Sequence, residues 1–448
     1  MTDASLTLRS ITDDDMTAEK ALKIGRMIGR SCDVVCVGSD TNPSSSMIRN
    51  SLISGLLSTG TDVNDAGIAP APAVALASAG SDCILMVGEP NELGHISRIY
   101  IMNSDGSVFT KEQLREMILT GQKETPLPGY KDLGTLRSLD SVAEEYSVTI
   151  CSKHGKGMDT PVMLDCGCGC TSICAPQILA SLGADLTTIN AQNDPQYSPR
   201  PQGVSVNDIS GLMSVMDTGH GSIGIALNGD GTRLALVDEK GRYVDPENIL
   251  SLLLLYLRPS RLVVPFNASA VVDDAFWGLI GEGVHTTAKA GAVRKIIRTA
   301  NDIESITAAI KDNGADMGAL TDGTFIFPSI TFCPDAINAA VILAKMSKEN
   351  SLSNLISSFP QYVALKEKIY YPVNTEAFNK KLNEKLRELD AKDVWGMGGW
   401  RVSMKEGWFS ISRNADNPDY VIVTAEAKDK VYAISMMELA KGFIRDSM

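Results

Sequence analysis

The sequence feature best suited to chemistry is a short loop that alternates oxygen-bearing side chains with glycines. It reads Asn228-Gly-Asp230-Gly-Thr232-Arg233 and lies between two apolar runs that predict buried strands. Hard cations such as Mg²⁺ prefer oxygen ligands, and glycines let the backbone turn sharply enough for those ligands to converge. With one carboxylate, the loop predicts at most weak cation binding; the alternative is a tight turn kept for backbone reasons.

A second candidate is a cysteine-rich turn, Cys166-Gly-Cys168-Gly-Cys170-Thr-Ser-Ile-Cys174, which follows a predicted strand. Four thiols this close could hold zinc or an iron–sulfur cluster. The spacing is not a usual ligand spacing, however, and a thiol is also a small residue suited to a crowded turn. Packing is therefore favoured over a metal or redox role. Cys32 and Cys36 flank a predicted strand and are expected to lie in the core.

Short apolar runs alternate with amphipathic segments along most of the chain, which is the pattern of α/β domains. A helix that closes on a left-handed glycine recurs at Gly60, Gly183 and Gly314. After about residue 360 the pattern changes to that of a smaller α+β domain. The predicted strands cover 33–38, 83–87, 162–165, 223–227 and 262–265. The predicted helices cover 18–28, 47–57, 176–182, 303–311 and 336–345.

The composition excludes several classes of function. The 448 residues carry 41 Lys+Arg against 54 Asp+Glu, a net charge of −13. An acidic chain is not expected to bind nucleic acid or an anionic membrane, both of which require basic patches. The chain shows no signal peptide and no apolar run of about 20 residues, and its nine cysteines are typical of reduced thiols. These features predict a cytoplasmic protein.

Several segments, in order along the chain, resemble landmarks of the α-D-phosphohexomutases, the family of phosphoglucomutase, phosphomannomutase and phosphoglucosamine mutase. They include Asp40-Thr-Asn-Pro-Ser-Ser45, Asn103-Ser-Asp-Gly106, the loop 228–233 and Ile326-Phe-Pro328. The resemblance implies three α/β domains with mixed sheets and a C-terminal α+β domain around a central cleft. It also implies an intramolecular phosphotransferase that works through a phosphoserine and Mg²⁺.

The resemblance places one altered family loop in each predicted domain. Domain I covers 1–140 with the phosphoserine loop at 88–93, and domain II covers 141–247 with the metal loop at 228–233 and the cysteine turn at 166–174. Domain III covers 248–358 with the sugar loop at 318–325, and domain IV covers 359–448 with the phosphate loop at 413–419.

The first two loops lack groups that the family uses. Counting back from Asn103 puts Pro90 at the phosphoserine position, so that position has no nucleophile and no catalytic residue is assigned. His95 and Ser97 are nucleophiles in the same segment, but at other backbone positions. The three metal-binding aspartates correspond to Asn228, Asp230 and Thr232, a degenerate site that leaves Mg²⁺ one carboxylate.

The remaining loops are altered as well. Leu320 replaces the sugar-binding glutamate and Asp322 the serine, and a leucine cannot accept hydrogen bonds from sugar hydroxyls. A substrate phosphate would rely on the arginines that the resemblance leaves in place. These are Arg9, Arg233 and Arg413.

The altered loops lead to the expectation that the chain lacks mutase activity and acts as a non-catalytic partner or ligand-binding protein. The alternative is an active phosphosugar mutase of the phosphomannomutase or phosphoglucosamine mutase type. A second alternative is a metal or redox protein that uses the Cys166–Cys174 turn. No cofactor is expected beyond weakly bound Mg²⁺. The expected partner is a paralogous phosphosugar mutase or a second copy of the chain, with no nucleic acid and no membrane.

Overall fold

The computed structural model describes residues 16–88, 98–122, 126–194, 199–219, 221–278, 294–370, 375–387, 389, 393–396, 399–413 and 420–447. By packing, the chain divides into two units. The first unit comprises Met1–Ile249 and Asp322–Leu355, and the second comprises Leu250–Thr321 and Ile356–Met448. None of the helices in these described ranges is long and apolar enough to cross a membrane.

The first sheet of unit 1 has the strand order β4-β3-β1-β2-β5, and all its pairings are parallel except that of β4 with β3. Because β1 and β3 are parallel neighbours, the loops that follow Ser39 and Gly88 leave the same edge of the sheet. Its strands are β1 Val34–Ser39, β2 Asp62–Ile68, β3 Cys83–Gly88, β4 Arg98–Asn103 and β5 Leu136–Ser138. Its helices are α1 Ala18–Gly29, α2 Pro43–Leu57, α3 Ala71–Ala77 and α4 Lys111–Gly121.

The second sheet has the order β10-β9-β8-β6-β7, with β6, β7 and β8 parallel and the last two strands antiparallel. The cysteine turn follows β6 and the loop 228–233 follows β8, so both leave the carboxyl edge of neighbouring parallel strands. The strands are β6 Pro161–Asp165, β7 Asp185–Ile189, β8 Ile223–Leu227, β9 Leu234–Val237 and β10 Tyr243–Val244. The helices are α5 Val142–His154, α6 Ala175–Ser181 and α7 Ser210–Met216, with a 3-10 turn at Cys170–Ile173.

Unit 2 contains a parallel set in the order β12-β11-β13 and an antiparallel sheet in the order β15-β19-β18-β17-β16. The elements of the parallel set are β11 Arg261–Pro265, α9 Ala270–Trp277, β12 Lys295–Thr299, α10 Ile303–Asn313 and β13 Met317–Ala319, preceded by α8 Pro246–Leu257. The antiparallel sheet comprises β15 Val363–Tyr370, β16 Asp393–Gly396, β17 Gly399–Ser403, β18 Gly407–Arg413 and β19 Tyr420–Ala427, with α13 Thr375–Arg387 and α14 Lys430–Ser447.

The return segment of unit 1 carries β14 Phe325–Ile326 and the helix α11 Ala336–Glu349, after which α12 Leu352–Ser357 leads into unit 2. Helix α11 is buried along most of its length. Its amide of Ala336 donates to the carbonyl of Gly231 at 3.0 Å, so the helix start is tied to the loop after β8.

The predicted α/β fold class with a C-terminal α+β part is confirmed. The predicted strand 223–227 is β8, and the predicted helix 303–311 is extended by two residues in α10. The three helix-closing glycines have positive φ angles of +91° at Gly60, +99° at Gly183 and +57° at Gly314. The boundaries of the four predicted domains stay predictions.

Candidate functional site

The loop 228–233 forms a turn closed by its own side chains. Asn228 and Asp230 are buried, with 5% and 6% exposure. One oxygen of the Asp230 carboxylate, Oδ1, accepts from Asn228 Nδ2 at 2.8 Å, from the Thr232 amide at 3.0 Å and from Thr232 Oγ1 at 2.6 Å. The Asn228 Oδ1 accepts from the amide of Arg233 at 2.9 Å. The structure thus brings together the four residues that the sequence placed in this loop.

This donor set determines which kind of cation site the loop fits. One carboxylate, one amide and one hydroxyl do not make a site closed by three protein carboxylates. They do fit the kind of Mg²⁺ site in which substrate phosphate oxygens and water complete the coordination shell. Since three donors already occupy Asp230 Oδ1, the second carboxylate oxygen is the one left for such a cation.

The cysteine turn supports this loop. The backbone amide of Cys170 donates to the carbonyl of Gly229 at 2.9 Å, and its thiol donates to the same carbonyl at 3.0 Å. The Cys168 amide donates to the carbonyl of Asn190 at 2.7 Å, and the Thr41 hydroxyl donates to the Cys168 carbonyl at 3.2 Å. The turn therefore links the loop after β1 to the loop after β8.

The four thiols of the turn are buried and do not form a metal-binding group. Burial raises the pKa of Cys166 to about 12 and raises the pKa of Cys170 and Cys174 as well. Metals bind thiolates, which these environments disfavour. No group of three or more His, Cys, Asp or Glu side chains that could hold a metal occurs in the described part of the chain.

A buried ion pair between Arg200 and Asp165 holds the carboxyl edge of the second sheet together. The Arg200 Nε donates to Asp165 Oδ2 at 2.8 Å, and the two side chains are 7% and 1% exposed. The guanidinium also donates to the carbonyls of Pro201 at 2.8 Å, Gly203 at 2.7 Å and Leu227 at 3.1 Å. Because Leu227 immediately precedes Asn228, Arg200 fixes the point from which the loop 228–233 starts.

Asp40 adds a second buried carboxylate next to the turn. Its side chain is fully buried and accepts from the amide of Asn42 at 3.0 Å and from Asn42 Nδ2 at 2.9 Å. Asp40 and Asp230 both contribute to the raised pKa of Cys170, after burial, so both lie near that thiol. The sequence predicted one carboxylate here; Asp40 was missed because it belongs to a different sheet.

Two further side chains that the sequence analysis did not assign to the site are Tyr100, which lies near enough to Asp230 to be affected by its charge, and Arg98, which contacts Tyr100. Burial, with Asp230 as the next cause, raises the pKa of Tyr100 well above its usual range. Arg98 hydrogen-bonds to Tyr100, and the positive charges of Arg98 and Arg233 lower the pKa of Tyr100. Arg98 begins β4, pairs with Gly88 and has a buried Nε without a hydrogen-bond partner. Tyr100 therefore stays neutral near two arginines.

The other predicted site residues either lie outside the described residues or belong to other elements. Pro90 and Arg9 lie outside the described residues, as does the rest of the loop 88–93 after Gly88. Arg413 ends β18, where its backbone pairs with Val421. Leu320 follows β13 in unit 2 and is half-buried. Asp322 is exposed in unit 1, where its Oδ1 accepts from the Thr324 amide at 3.2 Å.

Comparison with known proteins identifies the family. Residues 7–124 match phosphoglucomutase/phosphomannomutase alpha/beta/alpha domain I, and residues 137–241 match domain II of the same family. A Methanosarcina barkeri protein named "Probable phosphoglucosamine mutase" is 30% identical, and the alignment covers 98% of each chain. A Methanococcoides burtonii protein of the same name is 28% identical, again over 98% of each chain.

A solved structure has the same fold. It is a phosphoglucomutase/phosphomannomutase family protein from Burkholderia thailandensis with a TM-score of 0.81 and 19% identity. The match covers 98% of this chain and 96% of that one.

These relatives overturn the expectation that the chain lacks mutase activity and serves as a non-catalytic partner or ligand-binding protein. Relatives with 28–30% identity over 98% of the chain are named as phosphoglucosamine mutases, which supports the alternative of an active phosphosugar mutase. The expectation was wrong because it compared this chain with the family one loop position at a time. It gave no role to Asp40, Arg98 or Tyr100, which other strands bring to the same region. By sequence and by fold, the chain belongs to the α-D-phosphohexomutase family.

Proposed function

We propose that the chain is a phosphosugar mutase that moves a phosphoryl group between two hydroxyl oxygens of glucosamine phosphate. The observation that carries the proposal is the full-length similarity to proteins named phosphoglucosamine mutase, 28–30% identical over 98% of the chain. The loop 228–233 supports it because its buried carboxylate is held in a fixed position by three hydrogen-bond donors.

In this proposal Arg98, Tyr100 and Arg233 bind the phosphoryl group. The two guanidinium groups supply positive charge, and arginine is suited to phosphate because its planar donors match phosphate oxygens. The Tyr100 hydroxyl remains protonated through the physiological pH range because burial and Asp230 raise its pKa. It therefore donates a hydrogen bond to a phosphate oxygen rather than adding negative charge.

Asp230 holds the cation in this proposal, together with the neutral oxygens of Asn228 and Thr232. Mg²⁺ held by these residues would supply positive charge to the transferring phosphoryl group. The hydrogen bonds to Asp230 Oδ1 keep the carboxylate from rotating, so its other oxygen is presented in one orientation.

The proposal requires a phosphoryl carrier other than the residue at the family's phosphoserine position, since Pro90 has no nucleophilic atom. His95 and Ser97 are the nucleophilic side chains of the segment 89–97. Intact-mass analysis followed by phosphopeptide mapping after incubation with glucose 1,6-bisphosphate tests this assignment. A phosphorylated His95 or Ser97 supports it, and a phosphoryl group located elsewhere refutes it.

A coupled assay tests the function. Purified protein is incubated with glucosamine 6-phosphate, Mg²⁺ and a hexose bisphosphate, and glucosamine 1-phosphate formation is measured. The variant Asp230→Asn keeps the shape of the side chain and removes its charge, and we expect it to lower kcat at least about 100-fold. The matched control is Asp185→Asn at the exposed start of β7, which should retain wild-type turnover. Equal activity of the two variants would contradict the role of Asp230.

A further inference from the structure

Two cysteines of unit 1 lie in contact at the amino edge of the first sheet. Cys32 lies in the turn before β1, and Cys83 is the first residue of β3. Their sulfur atoms are 3.7 Å apart. Cys32 is half-buried and packs against the core rather than lying within it as the sequence predicted, and Cys83 is fully buried. Because Cys32 is only partly buried, the pair can be approached from solvent at that residue.

The backbone holds both residues in place. Asp82, next to Cys83, accepts from the amides of Asp33 at 2.7 Å and Val34 at 2.9 Å through its Oδ2. The Asp82 amide in turn donates to the Val34 carbonyl at 2.8 Å. The Thr61 hydroxyl donates to the Cys32 carbonyl at 3.0 Å. These bonds keep the two segments adjacent, so the sulfur atoms need only a small side-chain movement to meet.

The environment gives the two thiols different roles. The hydrogen bond between the two sulfur atoms lowers the pKa of Cys32, against the opposing effect of burial. The same hydrogen bond, with burial, raises the pKa of Cys83. Cys151 is also half-buried, but burial raises its pKa, and its thiol donates to the Ile178 carbonyl at 4.0 Å. Cys32 is therefore the better nucleophile of the two half-buried thiols.

We propose that Cys32 and Cys83 form a reversible thiol modification site that reacts with small-molecule disulfides such as oxidised glutathione. The Cys32 thiolate attacks one sulfur of the reagent, whose S–S bond breaks and releases one glutathione thiolate. The Cys83 sulfur attacks the Cys32 sulfur and displaces the second glutathione, whose departing sulfur takes up the proton from Cys83. The protein is oxidised by two electrons to one disulfide, and the reagent is reduced to two thiols.

The pair lies away from the candidate functional site. The loops that carry Asp40 and the loop 89–97 follow the carboxyl ends of β1 and β3, whereas Cys32 and Cys83 lie at their amino ends. Oxidation is therefore expected to leave the candidate site intact. Since the new bond links residues 32 and 83, it should raise the unfolding temperature by restricting the unfolded chain.

The test uses the full chain, reduced and then equilibrated with a glutathione redox buffer, alkylated and digested with a protease that cleaves before aspartate. Cleavage before Asp33 places Cys32 and Cys36 on separate peptides, and Cys83 falls in the peptide 82–104. We expect a peptide pair joined through Cys32 and Cys83 that disappears on treatment with dithiothreitol, with two thiols lost per chain.

Two variants separate the steps. In Cys83→Ser, glutathione should remain attached to Cys32, because the thiol that would displace it is absent. Cys151→Ser serves as the matched control and should form the Cys32–Cys83 bond as the wild type does. A wild-type protein that keeps glutathione on Cys32, reacts first at Cys151, or shows no linked peptide would overturn the proposal. None of these readouts depends on mutase activity.

Discussion

Replacing Arg200 by methionine should loosen the carboxyl edge of the second sheet. The change removes a buried ion pair with Asp165 and three hydrogen bonds to the carbonyls of Pro201, Gly203 and Leu227. Breaking one side of a buried ion pair costs about 3–5 kcal/mol, because the remaining charge is left without its partner.

The lower end of that range applies here. Asp165 keeps two donors after the substitution, the Gly167 amide at 2.9 Å and Asn190 Nδ2 at 3.0 Å. We therefore expect a loss of about 3 kcal/mol, equivalent to roughly 150-fold faster amide exchange of a segment whose opening exposes this pair.

Hydrogen exchange with mass spectrometry is the suitable assay, since it reports on β6 and β8 separately from unit 2. All four tryptophans (Trp277, Trp395, Trp400 and Trp408) belong to unit 2, so tryptophan fluorescence does not report on this change directly.

Arg242→Met is the matched control. Its guanidinium pairs with Asp238 at 2.6 Å but is 55% exposed, so its loss should cost less than about 1 kcal/mol. Arg200 does not hold this edge together if Arg200→Met leaves the amide exchange rates of β6 and β8 within about fivefold of wild type. The same conclusion follows if exchange is no faster in Arg200→Met than in Arg242→Met.

Three further predictions concern other buried groups. Burial raises the pKa of Asp335 to about 6, so the folded protein keeps this proton to a higher pH than the unfolded chain does. The contribution of Asp335 to the free energy of unfolding should therefore fall as pH rises from about 4 to about 6 and stay constant above that. The difference in unfolding temperature between wild type and Asp335→Asn, measured across this range, should show that trend, and a constant difference would contradict it. A Cβ at Gly55 would lie 2.3 Å from the Leu22 carbonyl oxygen between α1 and α2, so Gly55→Ala should lower the free energy of unfolding by about 2 kcal/mol in urea titration. Gly442→Ala, where a Cβ meets nothing within 4 Å in a helix, should raise it by up to about 1 kcal/mol, and the same sign for both would refute the packing argument. Arg98→Met should raise the KM for glucosamine 6-phosphate at least about tenfold with a smaller effect on kcat, while Arg115→Met on the exposed face of α4 should change neither; equal effects would exclude Arg98 from phosphate binding.

Much of the fold could be predicted from local sequence patterns. The six residues of β3 are all buried, and such continuous apolar runs are typical of strands covered on both faces. Gly183 and Gly314 close their helices with positive φ angles, as the glycine after an amphipathic segment predicts. These signals are contained in a few consecutive residues, so no knowledge of distant contacts was required.

The site was only partly predictable, because it depends on residues far apart in the chain. The loop 228–233 was identified because its oxygen-bearing residues are consecutive and alternate with glycine. Asp40, Arg98, Tyr100 and Arg200 come from other strands and loops, and nothing in their local sequence indicates that they approach the same turn. Arg200 in particular lies 26 residues after Cys174, the end of the cysteine turn, and meets Asp165 only in the folded chain.

The functional expectation failed for a related reason. Counting residues within single loops showed what each position had lost, such as the nucleophile at Pro90 and two of three carboxylates at 228–232. It could not show which side chains the neighbouring strands bring to the same region. The similarity to phosphoglucosamine mutases extends over 98% of the chain and includes the framework that those strands form.

Phosphorus NMR of glucosamine 6-phosphate, incubated with the purified full chain, Mg²⁺ and a catalytic amount of hexose bisphosphate, measures the proposed mutase activity most directly. We expect a growing glucosamine 1-phosphate resonance with the wild type and with Asp185→Asn, and its near absence with Asp230→Asn. A wild-type protein of correct fold that forms no glucosamine 1-phosphate, even at an enzyme concentration equal to that of the substrate, would refute the proposed activity.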